Sequence, residues 1–204
     1  MREYWMEFIG AMFLVLVIAL SGNPIAIGAV LMVMVYMGGH ISGGHYNPAV
    51  TLAVWMRGKL ESDKVFKYMG SQVAGAFVAA FIYYLLKYKT FMPMTGFNTM
   101  WWQASLVEII FTFALCSVVL AVATTKKLDG NYIYGLAIGF TLMVGAYAGG
   151  AISGGVYNPA VAIGPMIFSL LIGGGIGELL LYLIAPFIGA YIAAKTFAYL
   201  NPKE

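Results

Sequence analysis

Two asparagine–proline pairs, Asn47-Pro48 and Asn158-Pro159, are the residues of this chain best suited to handling a polar solute, and each closes a near-copy of one phrase. The first copy reads Ile41-Ser42-Gly43-Gly44-His45-Tyr46-Asn47-Pro48-Ala49-Val50, the second Ile152-Ser153-Gly154-Gly155-Val156-Tyr157-Asn158-Pro159-Ala160-Val161. Asparagine is a favoured helix N-cap and proline a favoured first helical residue, so each pair reads as the start of a helix. An oxygen used as the cap leaves the amide NH2 free to donate to a solute. The glycine-rich run before each pair, held extended, would add a ladder of acceptor carbonyls from Gly43, Gly44 and His45, and from Gly154 and Val156. Two helix N-termini converging on one point would oppose cations. A single Asn-Pro usually just starts a turn; two in matching contexts, about half the chain apart, imply a pore.

Other reactive side chains are few. Glu7 and Glu108 fall inside apolar stretches, where a carboxylate needs partners; they read as braces accepting backbone N–H groups of the glycine-rich loops, with a proton relay as the alternative. His40 and His45, without cysteines or carboxylates close in sequence, make a poor metal site and read as loop structure. Cys116 is the only cysteine, so no internal disulfide forms. With no nucleophile-and-base pair, metal cluster or phosphate loop, an enzyme, a metal and a cofactor are all unsupported.

The elements that hold these residues are membrane helices. Hydrophobic residues make up 62% of the 204 and charged residues only 9%, with a mean hydropathy of +0.88. That is too little polar surface for a water-soluble globule, so lipid is the expected surround. Six stretches approach the ~20 residues a span needs: roughly 5–21, 25–39, 64–86, 102–124, 132–149 and 176–199. Residues 48–56 are apolar but too few: nine residues make ~13 Å of helix, against a hydrocarbon core of ~30 Å. They read as a half-helix that enters and does not cross.

The segment from Glu7 to Leu14 resembles that from Glu108 to Leu115, and Gln72 to Gly75 faintly matches Pro186 to Gly189. One integral domain, 1–204, therefore divides into repeats of about 1–100 and 101–204. Three spans per repeat invert the second relative to the first. The net charge of +3 comes from cations in connecting segments, which argues against nucleic-acid binding. By the positive-inside rule both termini are cytoplasmic: Arg2, Arg57, Lys59, Lys64, Lys67, Lys126, Lys127, Lys195 and Lys203 lie inside, Lys87 and Lys89 outside. Trp101 and Trp102, at a span start, read as interfacial anchors.

These residues resemble the major intrinsic protein family, the aquaporins and aquaglyceroporins, across essentially the whole chain. The likeness rests on Gly39-His40-Ile41-Ser42-Gly43 leading to Asn47-Pro48-Ala49-Val50-Thr51, on Asn158-Pro159-Ala160, on the Glu7 and Glu108 segments, and on Pro186-Phe187-Ile188-Gly189. The resemblance implies an all-α hourglass of six transmembrane helices and two re-entrant half-helices, with a pore in every subunit of a homotetramer.

It also implies a selectivity filter near the outer mouth, at Ile27, Ala146, Gly155 and Val161. Most of the family has arginine where this chain has Val161, and glycerol facilitators follow it with aspartate where this chain has Ala162. The Asn-Pro-Ala-Val-Ala run is similar to one group of plant vacuolar-membrane members, although those carry histidine at the position of Ile27. The expectation is a wide, apolar filter that passes water and small uncharged solutes such as glycerol, urea, ammonia or hydrogen peroxide. A strictly water-selective pore, a gradient-coupled transporter using Glu7 or Glu108, an ion-conducting pore and a junctional tetramer are the rival readings.

Overall fold

The computed structural model describes residues 1–202. Lys203, assigned above to the inner side, lies outside the described residues. Eight α-helices follow in order: α1 (Arg2–Ser21), α2 (Pro24–Ser42), α3 (Pro48–Met56), α4 (Val65–Lys87), α5 (Trp101–Thr124), α6 (Tyr134–Ser153), α7 (Pro159–Leu171) and α8 (Leu179–Leu200). Six of them, all but α3 and α7, are long and apolar enough to cross a membrane. At 1.5 Å per residue, even the 19 residues of α2 reach ~28 Å.

Helices α3 and α7, nine and 13 residues long, stop well short of a crossing. Each starts on its Asn-Pro pair: Asn47 Oδ1 accepts from the Ala49 N–H at 2.8 Å, and Asn158 Oδ1 from the Ala160 N–H at 3.0 Å. Proline, which has no N–H to leave unsatisfied, takes the first helical position in both.

Spans two and five run longer than the hydropathy pattern predicts. Ser42 and Ser153 are the last residues of α2 and α6, not part of an extended run, and His40 lies in the last turn of α2. The helices end where Gly43 (φ 87°) and Gly154 (φ 85°) turn left-handed, a conformation glycine adopts without a Cβ clash.

The two repeats pack alike. Helix α1 lies on α4 and α2, α5 lies on α8 and α6, and the repeats meet where α2 crosses α6. That crossing is backbone on backbone: a Cβ at Gly28 would come 2.6 Å from the carbonyl oxygen of Gly139, and one at Gly139 would collide with that of Gly28. The offset relating Asn47 to Asn158 also relates these two glycines, so the crossing point belongs equally to both repeats. Trp101 and Trp102 are both exposed on the surface.

Candidate functional site

The two Asn-Pro pairs come together at the centre of the molecule, where α3 and α7 touch. In each loop a second left-handed glycine (Gly44, φ 65°; Gly155, φ 66°) precedes a left-handed tyrosine (Tyr46, φ 50°; Tyr157, φ 47°). A non-glycine residue in that region is disfavoured by roughly 1–2 kcal/mol, so something must hold it there. Two fully buried carboxylates do so. Glu7 accepts from the Ser42 hydroxyl at 2.6 Å, the His45 N–H at 3.0 Å and the Tyr46 N–H at 2.7 Å. Glu108 accepts from the Ser153 hydroxyl at 2.7 Å, the Val156 N–H at 2.9 Å and the Tyr157 N–H at 2.6 Å. The tyrosine rings are anchored through their hydroxyls, Tyr46 to the Met34 carbonyl and Tyr157 to the Gly145 carbonyl, each at 2.9 Å.

Holding the tyrosines left-handed aims their carbonyls across the axis. Asn47 Nδ2 donates to the Tyr157 carbonyl at 2.8 Å, and Asn158 Nδ2 to the Tyr46 carbonyl at 3.0 Å. The asparagine amides are thus only half free. Of the two hydrogens on each nitrogen, one ties the opposite loop and one remains for a solute. Sequence reasoning missed this exchange, because no local pattern reports a bond between residues half the chain apart.

A narrow lumen with about 10 Å³ of room for water, roughly a single molecule, passes this point. Its polar side chains are Asn47, Asn158 and His45; the rest of its side-chain wall is aliphatic, in matched pairs such as Leu31 and Leu142 or Val50 and Val161. Gly44, which has backbone alone, also lines it. Among the described residues no protein hydrogen bond ends on the carbonyls of Gly43, Gly44, His45, Gly154, Gly155 or Val156. At one end the lumen meets a vestibule of about 1030 Å³, rimmed by Lys59, Glu61, Lys64, Lys126 and Asp129, with His40 and Gly43 on its wall.

Of the four positions assigned to a filter, Val161 lines the enclosed lumen and is 2% exposed. Ile27 packs in the same buried cluster as Leu31. Ala146 and Gly155 adjoin each other, a Cβ on Gly155 falling 3.4 Å from the Ala146 Cα. None of the four carries a polar side chain.

The loop between α4 and α5 covers the second re-entrant loop. Glu178 accepts from the Thr95 N–H at 2.8 Å and its hydroxyl at 2.7 Å, and the Gly96 N–H donates to the Ile152 carbonyl at 2.9 Å. Tyr182 donates to the Ser153 carbonyl at 2.7 Å, as Tyr68 does to the Ser42 carbonyl at 3.0 Å in the first repeat. None of these partners was evident in the sequence.

The profile of the major intrinsic protein family matches residues 1–199. The chain belongs to that family. Among relatives, Aquaporin NIP2-1 of Zea mays is 35% identical over 184 residues, covering 90% of this chain and 61% of the maize protein. Nodulin-26 of Glycine max is 35% identical over 202 residues, covering 95% of this chain and 73% of its own length. The chain likewise spans 61% of the length of the Oryza sativa Aquaporin NIP2-1. The solved aquaglyceroporin of Plasmodium falciparum shares the fold, with a TM-score of 0.83 at 23% identity over 96% of this chain and 94% of that one.

Proposed function

We propose that this protein is a passive membrane channel for water and small uncharged solutes. One observation carries the reading: two half-helices meet N-terminus to N-terminus on a narrow lumen, each presenting an asparagine N–H there. The converging dipoles make the centre positive, so a cation is repelled and a water molecule turns its oxygen toward the amides. Glycerol, urea, ammonia and hydrogen peroxide are the candidate solutes, since a filter of Ile27, Ala146, Gly155 and Val161 has no charge and no side-chain donor. Relatives named as aquaporins support the channel reading.

A gradient-coupled transporter would need an ionisable group free to exchange a proton or ion. Glu7 and Glu108 are each occupied by at least three hydrogen bonds to their own loop, which favours a structural role for both. We further propose a homotetramer in lipid with both termini cytoplasmic, the latter from the distribution of lysine and arginine.

Stopped-flow light scattering on proteoliposomes tests the reading. Water and solute fluxes should both rise above those of empty liposomes, without saturation and without need of an ion gradient. Water flux alone would reduce the reading to a strictly water-selective pore, and flux that needs a gradient would overturn it.

A further inference from the structure

The filter positions Ile27, Ala146, Gly155 and Val161 have an inverted copy in the same chain. The offset that relates Asn47 to Asn158 carries them onto Ile138, Val35, Gly44 and Val50. The match holds in space as well as in sequence. A Cβ on Gly155 would lie 3.4 Å from the Ala146 Cα and 3.3 Å from that of Gly150; one on Gly44 would lie 3.5 Å from the Cα atoms of both Val35 and Gly39. A ring of the same build therefore stands at the other end of the lumen, with α3 and its glycine-rich loop in place of α7.

This copy lies where the lumen meets the vestibule. Ile138, His45 and Val119 line both spaces, and Val35 lines the vestibule, so the narrowing that divides the two is built at these residues. The lumen itself is lopsided toward this end. Among the described residues, each one lining it has its counterpart from the other repeat in the lining too, except Gly44 and Ile138; their counterparts Gly155 and Ile27 do not border the enclosed space.

The two rings differ in bulk. Isoleucine, glycine and valine recur in both, but the fourth member is alanine in one and valine, two carbons larger, in the other. Val35 is 1% exposed, and a valine inside a helix keeps essentially one rotamer, so it cannot swing aside. The neighbouring layer keeps the difference: His45 stands where the other end has Val156, and Val119 is one carbon smaller than its counterpart Ile18.

We propose that the ring at the vestibule end, with Val35 as its deciding member, sets the largest solute that passes, admitting urea, ammonia and hydrogen peroxide and slowing glycerol. The proposal deepens the channel reading and rests on it. Close-packed walls yield little, and a solute crossing these four residues sheds flanking water with no polar side chain among them to replace it. Urea is planar and can enter edge-on. Glycerol carries three hydroxyls on a chain that no rotation makes flat, so the two extra carbons of Val35 obstruct it first.

Stopped-flow light scattering on proteoliposomes of the full-length protein separates the two rings. Val35→Ala should raise the glycerol-to-urea permeability ratio about tenfold, the low end of what a methylene in an apolar wall discriminates. Ile27→Ala removes more carbons from the opposite ring and should raise the ratio less. Ile138→Val trims a single carbon from the vestibule-end ring and should raise it in the same direction as Val35→Ala, which keeps the test open should Val35→Ala fail to fold. An unchanged ratio in either vestibule-end variant that still conducts water overturns the proposal, as does a larger rise with Ile27→Ala. Glycerol crossing the unmodified protein as fast as urea overturns the role of this ring and leaves the channel reading standing. Absence of water flux in the unmodified protein overturns the channel reading itself and is recognised without any variant.

Discussion

Replacing Glu108 by glutamine removes a charge and one acceptor while leaving the shape nearly unchanged, so its effect isolates the bracing of the second loop. The amide oxygen can keep the Ser153 and Val156 bonds that now share one carboxylate oxygen. Its NH2 then faces the Tyr157 N–H across 2.6 Å, donor against donor. A hydrogen bond to a charged group contributes about 1.5–3 kcal/mol, and a stranded buried donor carries a similar penalty. Relief of the carboxylate's own desolvation offsets part of this. The net loss is about 1–3 kcal/mol, and at roughly 2–4 °C per kcal/mol for a chain of this size the unfolding midpoint should fall by roughly 2–12 °C. Thermal unfolding of the purified protein in one detergent, followed by tryptophan fluorescence, reads the shift. Glu3→Gln is the control: that carboxylate pairs with the terminal amine at 2.9 Å near the surface, where ion pairs contribute little. Because the Tyr157 carbonyl is the partner of Asn47, water permeability should fall with stability in Glu108→Gln. A midpoint within about 1 °C of the unmodified protein, or an equal drop in Glu3→Gln, would refute the bracing argument.

Three further substitutions probe other parts of the site. Val161→Arg should cut glycerol and urea permeability more than water permeability in stopped-flow assays, because it adds bulk and charge to an aliphatic wall; equal losses would mean that Val161 does not govern solute passage. Asn158→Asp keeps the N-cap but sets a carboxylate against the Tyr46 carbonyl, so water flux should fall several-fold and planar-bilayer recordings should show whether the added negative charge admits cations, with unaltered flux counting against the cross-axis bond. Gly139→Leu drives a side chain into the Gly28 carbonyl and Met32, whose Cβ would lie 2.7 Å from the new one; backbone cannot yield as a side chain can, so the variant should fail to elute as a monodisperse species in size-exclusion chromatography.

Sequence reading serves well where the signal is local. Asparagine before proline specifies a cap and a first turn within three residues, so the starts of α3 and α7 were legible, as were the six spans from their length and hydropathy. Helix ends were less so. Hydropathy fades over Gly39, His40 and Ser42, yet the helix runs on until Gly43 turns left-handed, which a polarity profile does not register. The site was legible as a set of residue types and opaque as a set of partners. The exchange between Asn47 and Tyr157, the attachment of Gln72 to Glu7, and the grip of Glu178 on Thr95 join residues 65 to 110 positions apart. Such pairs are set by helix packing, and nothing in the adjacent sequence announces them.

The crossed asparagine bonds bear on how such a chain could have arisen. Each loop's carbonyl satisfies the other loop's amide, so a single repeat has a donor with no acceptor and a backbone oxygen with no donor, both at membrane depth. Two identical copies inserted in opposite directions would satisfy each other as the two halves do here. An unduplicated ancestor would then have had to enter the membrane both ways round. By the same logic, residues 1–100 and 101–204 made as separate polypeptides in one cell should find each other, while either half made alone should not persist.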